Sequence, residues 1–258
     1  MIEDGGQANG SATTVVRIGE TIRRPVGVWT PAVHALLEHL HQAGFDGAPR
    51  PRGIDELGRE ILSLVPGEVA MRPWPPVLVS GDGLWQLARW LRRYHDAVVD
   101  FVPPADAEWV VPGATWQHGQ IVRHGDLGPW NSVWHDEVLV GFIDWDFAEP
   151  GTALDDVAQL AWYAVPLRGP EAARAAGLPE GCDLRARLDA VCQAYGVSSA
   201  AVLDALEELI AREISRLREL GSAGIEPWSM FRERGDDAEL GEELAWLLAS
   251  RSSLTSDE

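Results

Sequence analysis

Apolar positions along the chain change period several times, and the changes outline the elements. Thr14–Ile18 and Thr21–Arg24 are short β-branched runs parted by Gly19-Glu20, which predicts a hairpin. Thr30-Pro31 then opens a helix on which Val33, Leu36, Leu37 and Leu40 share one face, with Gly44 near its stop. Gly53–Leu57 and Arg59–Val65 predict a second hairpin, broken at Pro66-Gly67. Beyond a proline-rich stretch, Asp82 caps a helix whose buried stripe is Leu84, Leu87, Leu91, Tyr94 and Val98. From Asn131 to Asp144 two β runs meet at His135-Asp136-Glu137, a third hairpin. Helical periodicity then takes over at residues 153–164, 184–195, 199–220 and 237–250; Leu203, Leu206, Ile210, Ile214 and Leu217 form one face. The expected architecture is α+β, a β-rich start followed by a larger, mostly helical part.

The third hairpin carries the chemistry. His124-Gly125-Asp126-Leu127-Gly128-Pro129-Trp130-Asn131 precedes it and Phe142-Ile143-Asp144-Trp145-Asp146 ends it. One short loop presents Asp126 and Asn131 to one cleft, and the hairpin returns Asp144 beside them. A carboxylate near a hydroxyl nucleophile, with separate oxygen ligands for Mg²⁺, is what phosphoryl transfer requires. Mg²⁺ takes hard oxygen ligands and leaves much of its shell to water and phosphate, which suits one amide and one carboxylate.

His124, Gly125, Asp126, Leu127 and Asn131, then Ile143-Asp144 and Asp155-Asp156-Val157-Ala158, resemble the signature of the aminoglycoside phosphotransferase family. The resemblance covers nearly the whole chain and implies a protein-kinase-like two-lobe fold: a small β-rich nucleotide-binding lobe over residues 1–66 and a larger helical lobe over residues 67–258, carrying the catalytic loop and the acceptor site. It implies a small-molecule kinase moving the γ-phosphate of ATP or GTP to an aminoglycoside or amino alcohol. Asp126 is then the catalytic carboxylate, His124 the support of its loop, and Asn131 and Asp144 the Mg²⁺ ligands. The backbone of Leu64, Val65 and Pro66 meets the adenine edge. Asp146 reaches the metal region or stays a solvated strand end, and Asp156 braces a helix start.

The N-terminal part departs from the family pattern. All 21 basic residues are Arg, so the strand lysine that holds the nucleotide phosphates in kinases has no counterpart, and Arg23 is expected in its place, ahead of its neighbour Arg24. The partner Glu of the following helix is also missing from its usual place: the helix opens Pro31-Ala32-Val33-His34, and Glu38 lies one turn later. Gly5-Gly6-Gln7-Ala8-Asn9-Gly10 has the permissive residues of a phosphate-wrapping glycine loop but no preceding strand, so a frayed terminus stays open as its other reading. These departures keep a catalytically silent nucleotide-binding module open as the alternative. A metal-dependent hydrolase built from His118, His124, Asp126, His135 and Asp144 is the weaker rival, because those histidines follow no standard ligand spacing.

Composition narrows the partners. A net charge of −19 argues against nucleic acid. Residues 171–258 hold eighteen acids against nine Arg, a surface suited to a cationic acceptor. Two cysteines, Cys182 and Cys192, outside any CxxC pattern indicate neither a disulfide framework nor a zinc site. No apolar run reaches the ~18 residues of a membrane span, and the polar N-terminus lacks the apolar core of a signal peptide. The expectation is a cytoplasmic protein. Twelve Trp are many for 258 residues, and packing is the expected role of most, including Trp130 and Trp145 in the two motifs.

Overall fold

The computed structural model describes residues 15–255. The glycine-rich segment Gly5–Gly10 lies outside them. In chain order the elements are β1 (Val16–Ile18), β2 (Thr21–Pro25), α1 (Thr30–Gln42), β3 (Pro51–Ile54), β4 (Arg59–Ser63), β5 (Glu68–Val69), α2 (Pro76–Ser80) and α3 (Asp82–Val98). There follow β6 (Ile121–Arg123), β7 (Ser132–His135), β8 (Val138–Phe142), β9 (Glu149–Gly151), α4 (Ala153–Ala164), α5 (Pro170–Ala175), α6 (Leu184–Tyr195), α7 (Ser199–Ser222), α8 (Trp228–Arg234) and α9 (Asp236–Leu254). This is the expected mixture, a small antiparallel sheet at the N-terminal end and a larger helical part. No helix among the described residues is long and apolar enough to cross a membrane.

By contact the chain divides into two compact units, one of the residues up to Ala70 with Trp90–Ala153, the other of Met71–Arg89 with the residues from Leu154 on. In the first unit an antiparallel sheet runs in the order β1-β2-β4-β3. Its register sets Arg24 directly opposite Glu60. The strand expected over Gly53–Leu57 runs instead from Pro51 to Ile54, because Asp55 turns the chain: its Oδ1 accepts from the Leu57 N–H at 3.0 Å and the Arg59 N–H at 2.9 Å. α1 starts with Pro31 in its first turn, where the missing N–H costs nothing, and buries Ala32, Val33, Leu36, Leu37 and Leu40.

The β7–β8 hairpin turns through Asp136 and Glu137, whose φ values of 47° and 64° suit the primed turns that match strand twist. Phe142 at its end packs with Trp90, ring centroids 4.5 Å apart. Trp145 lies against Tyr94 at 5.2 Å. This aromatic cluster packs under His124 of the loop that precedes the hairpin.

In the second unit α7 buries Val202, Leu203, Leu206, Leu209, Ile210, Ile214 and Leu217, the stripe its periodicity predicts. The Ser198 hydroxyl caps its start by accepting from the Ala201 N–H. Buried Arg187 donates to the carbonyls of Leu78, Val79, Ala164 and Val165, satisfying chain-end acceptors around the ends of α2 and α4. The short helices α2, α5 and α8 have no forecast from periodicity, because five to seven residues do not complete a readable pattern.

Candidate active site

The loop from His124 to Asn131 is held from below. His124 is fully buried, its ring 4.3 Å from that of Trp145, and its Nδ1 accepts from the Asp126 N–H at 3.2 Å. Gly125 has φ 81°, and a Cβ there would collide with the Phe147 carbonyl, so glycine alone fits. Asn131 ends a short 3₁₀ turn over Pro129–Asn131 and reaches back across the loop. Its Nδ2 donates to the Asp126 carbonyl at 3.0 Å and to Asp126 Oδ2 at 2.7 Å.

Two more acids arrive from the far end of the hairpin. The Ile143 N–H bonds the Asn131 carbonyl at 2.9 Å, which ties the strand end to the loop. Asp144 then adopts a left-handed conformation, φ 63°, costly for most residues and best tolerated by Asn and Asp. Asp126, Asn131 and Asp144 therefore come together as the sequence leads one to expect, with Asp146 beside them.

The N-terminal sheet contributes Arg24. Its Nε lies 2.5 Å from Glu60 Oε1, its Nη1 3.0 Å from Asp144 Oδ1 and its Nη2 2.6 Å from Asp146 Oδ1. Arg23, the residue expected here, is placed elsewhere: its Nε is 3.6 Å from Asp55. Alternation along a strand sends neighbours to opposite faces, and the register of β2 against β4 turns Arg24 inward. The glutamate partner likewise comes from the sheet and not from α1. Glu60 is 1 % exposed, and its second oxygen lies 2.8 Å from His34 Nε2. His34 thus joins the network at the helix position where a glutamate was sought. Glu60 had no local signal in the sequence, since Arg59–Ser63 reads Arg-Glu-Ile-Leu-Ser without apolar alternation. Leu64, Val65 and Pro66 form partly exposed chain after β4, the Leu64 N–H bonded to the Glu20 carbonyl at 2.9 Å.

Charge is crowded in this site. Burial and the neighbouring Asp144 carboxylate push the Asp126 carboxyl up to about 7, against hydrogen bonds from Asn131 and the Trp130 indole. Burial raises Asp146 to about 6, against the attraction of Arg24, with Asp144 adding to the rise and a hydrogen bond from the Trp29 indole opposing it. Burial works to lower the pKa of Arg24, but Asp146, Glu60 and Asp144 outweigh it and hold the guanidinium charged.

The donor set suits magnesium. With its Nδ2 committed to Asp126, Asn131 turns Oδ1 the other way, and Asp144 supplies carboxylate oxygen; both are hard ligands. Among the described residues no three His, Cys, Asp or Glu are grouped to hold a metal. That grouping is what the hydrolase alternative requires. His135 instead sits at the exposed hairpin tip and His124 is enclosed by aromatic rings. An amide-plus-carboxylate magnesium site needs no such cluster.

Residues 78–191 match the model of the phosphotransferase enzyme family. A trifolitoxin immunity protein of Rhizobium leguminosarum bv. trifolii is 37% identical over 194 residues, 73% of this chain and 72% of that protein. Among solved structures, the GDP complex of wild-type aminoglycoside 2′-phosphotransferase-IIIa superposes with a TM-score of 0.50 at 14% identity, covering 95% of this chain and 91% of that one. An ethanolamine kinase of Plasmodium vivax superposes with a TM-score of 0.55 at 9% identity, covering 95% and 83%. At these identities the structural likeness concerns the fold, which is protein-kinase-like.

Proposed function

The chain belongs to the phosphotransferase enzyme family, and from that membership we propose that it is a small-molecule kinase, moving the γ-phosphate of ATP or GTP to an acceptor hydroxyl with Mg²⁺. The observation that carries the reading is the hydrogen bond from Asn131 Nδ2 to Asp126 Oδ2, 2.7 Å, with Asp144 beside it. Asp126 orients the hydroxyl and accepts its proton, which the raised affinity of its carboxyl favours. Asn131 and Asp144 hold Mg²⁺, which when bound neutralises phosphate charge. Arg24 takes the phosphate role first expected of Arg23, since it is the arginine that faces the aspartates. The chain at Leu64–Pro66 receives the base, and residue 66 divides a nucleotide lobe from a catalytic and acceptor lobe.

The acceptor is a small alcohol, and an amino alcohol or aminoglycoside suits the acid-rich C-terminal segment. A second reading, a nucleotide-binding module without turnover, draws on one observation: three carboxylates already engage Arg24. Calorimetric titration with ATP and GTP, with and without Mg²⁺, followed by an acceptor screen, tests both. Magnesium-dependent binding with phosphorylated product supports the kinase; binding without product on any acceptor supports the module; no binding at millimolar nucleotide overturns both.

A further inference from the structure

Two tight turns in the first unit are built alike. In each, a glycine carbonyl accepts the N–H of the third residue on: Thr30 N to Gly27 O at 3.1 Å, Asn131 N to Gly128 O at 2.9 Å. In each, the residue between is a tryptophan two places after the glycine, Trp29 or Trp130, half-buried. Its indole folds back over the glycine so closely that a Cβ on Gly27 or Gly128 would enter the ring. Each folded indole then donates a hydrogen bond to an aspartate of the site, Trp29 to Asp146 and Trp130 to Asp126.

We propose that these Gly-x-Trp turns are clips, with Trp29 and Trp130 as positioning residues that aim the carboxylates of Asp146 and Asp126. Neither aspartate is fixed by its own strand. Asp126 sits in a loop, where Asn131 holds one of its oxygens, and Asp146 lies beyond the end of β8, where Arg24 holds one of its oxygens. Asn131 holds Oδ2 of Asp126; the indole supplies a second donor, and two donors fix a carboxylate plane where one leaves it free to swing. An indole N–H is donor-only and uncharged, so it directs the carboxylate without forming the ion pair that a lysine would impose. Glycine is required because the indole lies where its side chain would stand.

The kinetic half of this inference rests on the kinase reading; the spectroscopic half does not. A hydrogen bond to a charged group contributes about 1.5–3 kcal/mol, which is roughly tenfold or more in rate or affinity. Trp130→Phe keeps an aromatic ring but removes the N–H with the five-membered ring that carries it, so kcat should fall roughly tenfold while nucleotide KM holds. Trp29→Phe loosens Asp146 against Arg24, so nucleotide KM should rise roughly tenfold while kcat holds.

Independently of turnover, ¹H–¹⁵N spectra of the indoles, assigned by these variants, should show the Trp130 signal moving with Asp126→Asn and the Trp29 signal with Asp146→Asn. In the parent, both indole protons should exchange with solvent more slowly than that of Trp85, which is 46% exposed. Parental kcat and KM in both Phe variants, or indole protons that exchange like that of Trp85, overturn the clips. A parent that phosphorylates no acceptor sinks the kinase reading instead, and the indole spectra still decide the clips.

Discussion

Arg24 and Glu60 face each other across β2 and β4, and the remaining guanidinium nitrogens of Arg24 reach Asp144 and Asp146. One side chain of the sheet thereby joins a buried structural anion to the two acids at the end of the β7–β8 hairpin. With Glu60 as its anchor, the guanidinium stays aimed at the site, and a bidentate cation there suits phosphate oxygens.

Removing the anchor should be costly. Glu60→Ala leaves the buried charge of Arg24 with one partner fewer and is expected to lower stability by about 3 kcal/mol, read from urea unfolding. Arg24→Ala leaves Glu60, Asp144 and Asp146 facing one another, so Mg²⁺ should raise its melting temperature more than that of the parent. Equal shifts in the two proteins would argue against Asp144 as a metal ligand.

Asp126→Asn keeps the size and shape of the side chain and removes the proton acceptor. Turnover should fall by roughly 10²–10⁴, while Mg²⁺-nucleotide affinity by calorimetry stays near that of the parent. A variant as active as the parent removes Asp126 from the mechanism.

The pH dependence of the metal-free protein follows from the raised carboxyls. Asp126 at about 7 and Asp146 at about 6 bind protons more tightly folded than unfolded. Their contribution to stability is therefore fully present below the ordinary carboxyl range, near pH 4, and is lost as pH rises through about 6 to 7. Urea midpoints without metal should decline over that window, and ¹³C signals of the two carboxyls should titrate there. Mg²⁺ favours the charged forms and should move both titrations to lower pH.

Cys192 is buried, and burial with the nearby Asp189 pushes its thiol up to about 12. A thiolate-selective reagent at pH 8 should modify the part-exposed Cys182 and leave Cys192 until the chain unfolds. Labelling of both at equal rates in the folded protein would contradict the burial.

The sequence by itself determined what short range decides. His124, Asp126 and Asn131 share one loop, and the hairpin through Asp136-Glu137 carries Asp144 back to it, so motif spacing was enough to assemble the centre. The long helices were legible for the same reason, since periodicity within each segment records which face is buried. Only the tertiary structure decided which arginine enters. Arg23 and Arg24 are adjacent and chemically identical, and the choice depends on which face of β2 turns inward against β4, a fact set by strand register and not by composition. Glu60 is 36 residues from Arg24, and Asp144 and Asp146 are 120 and 122 residues away. No local pattern encodes such distances; the pairings exist because the fold brings buried charges to where they offset one another.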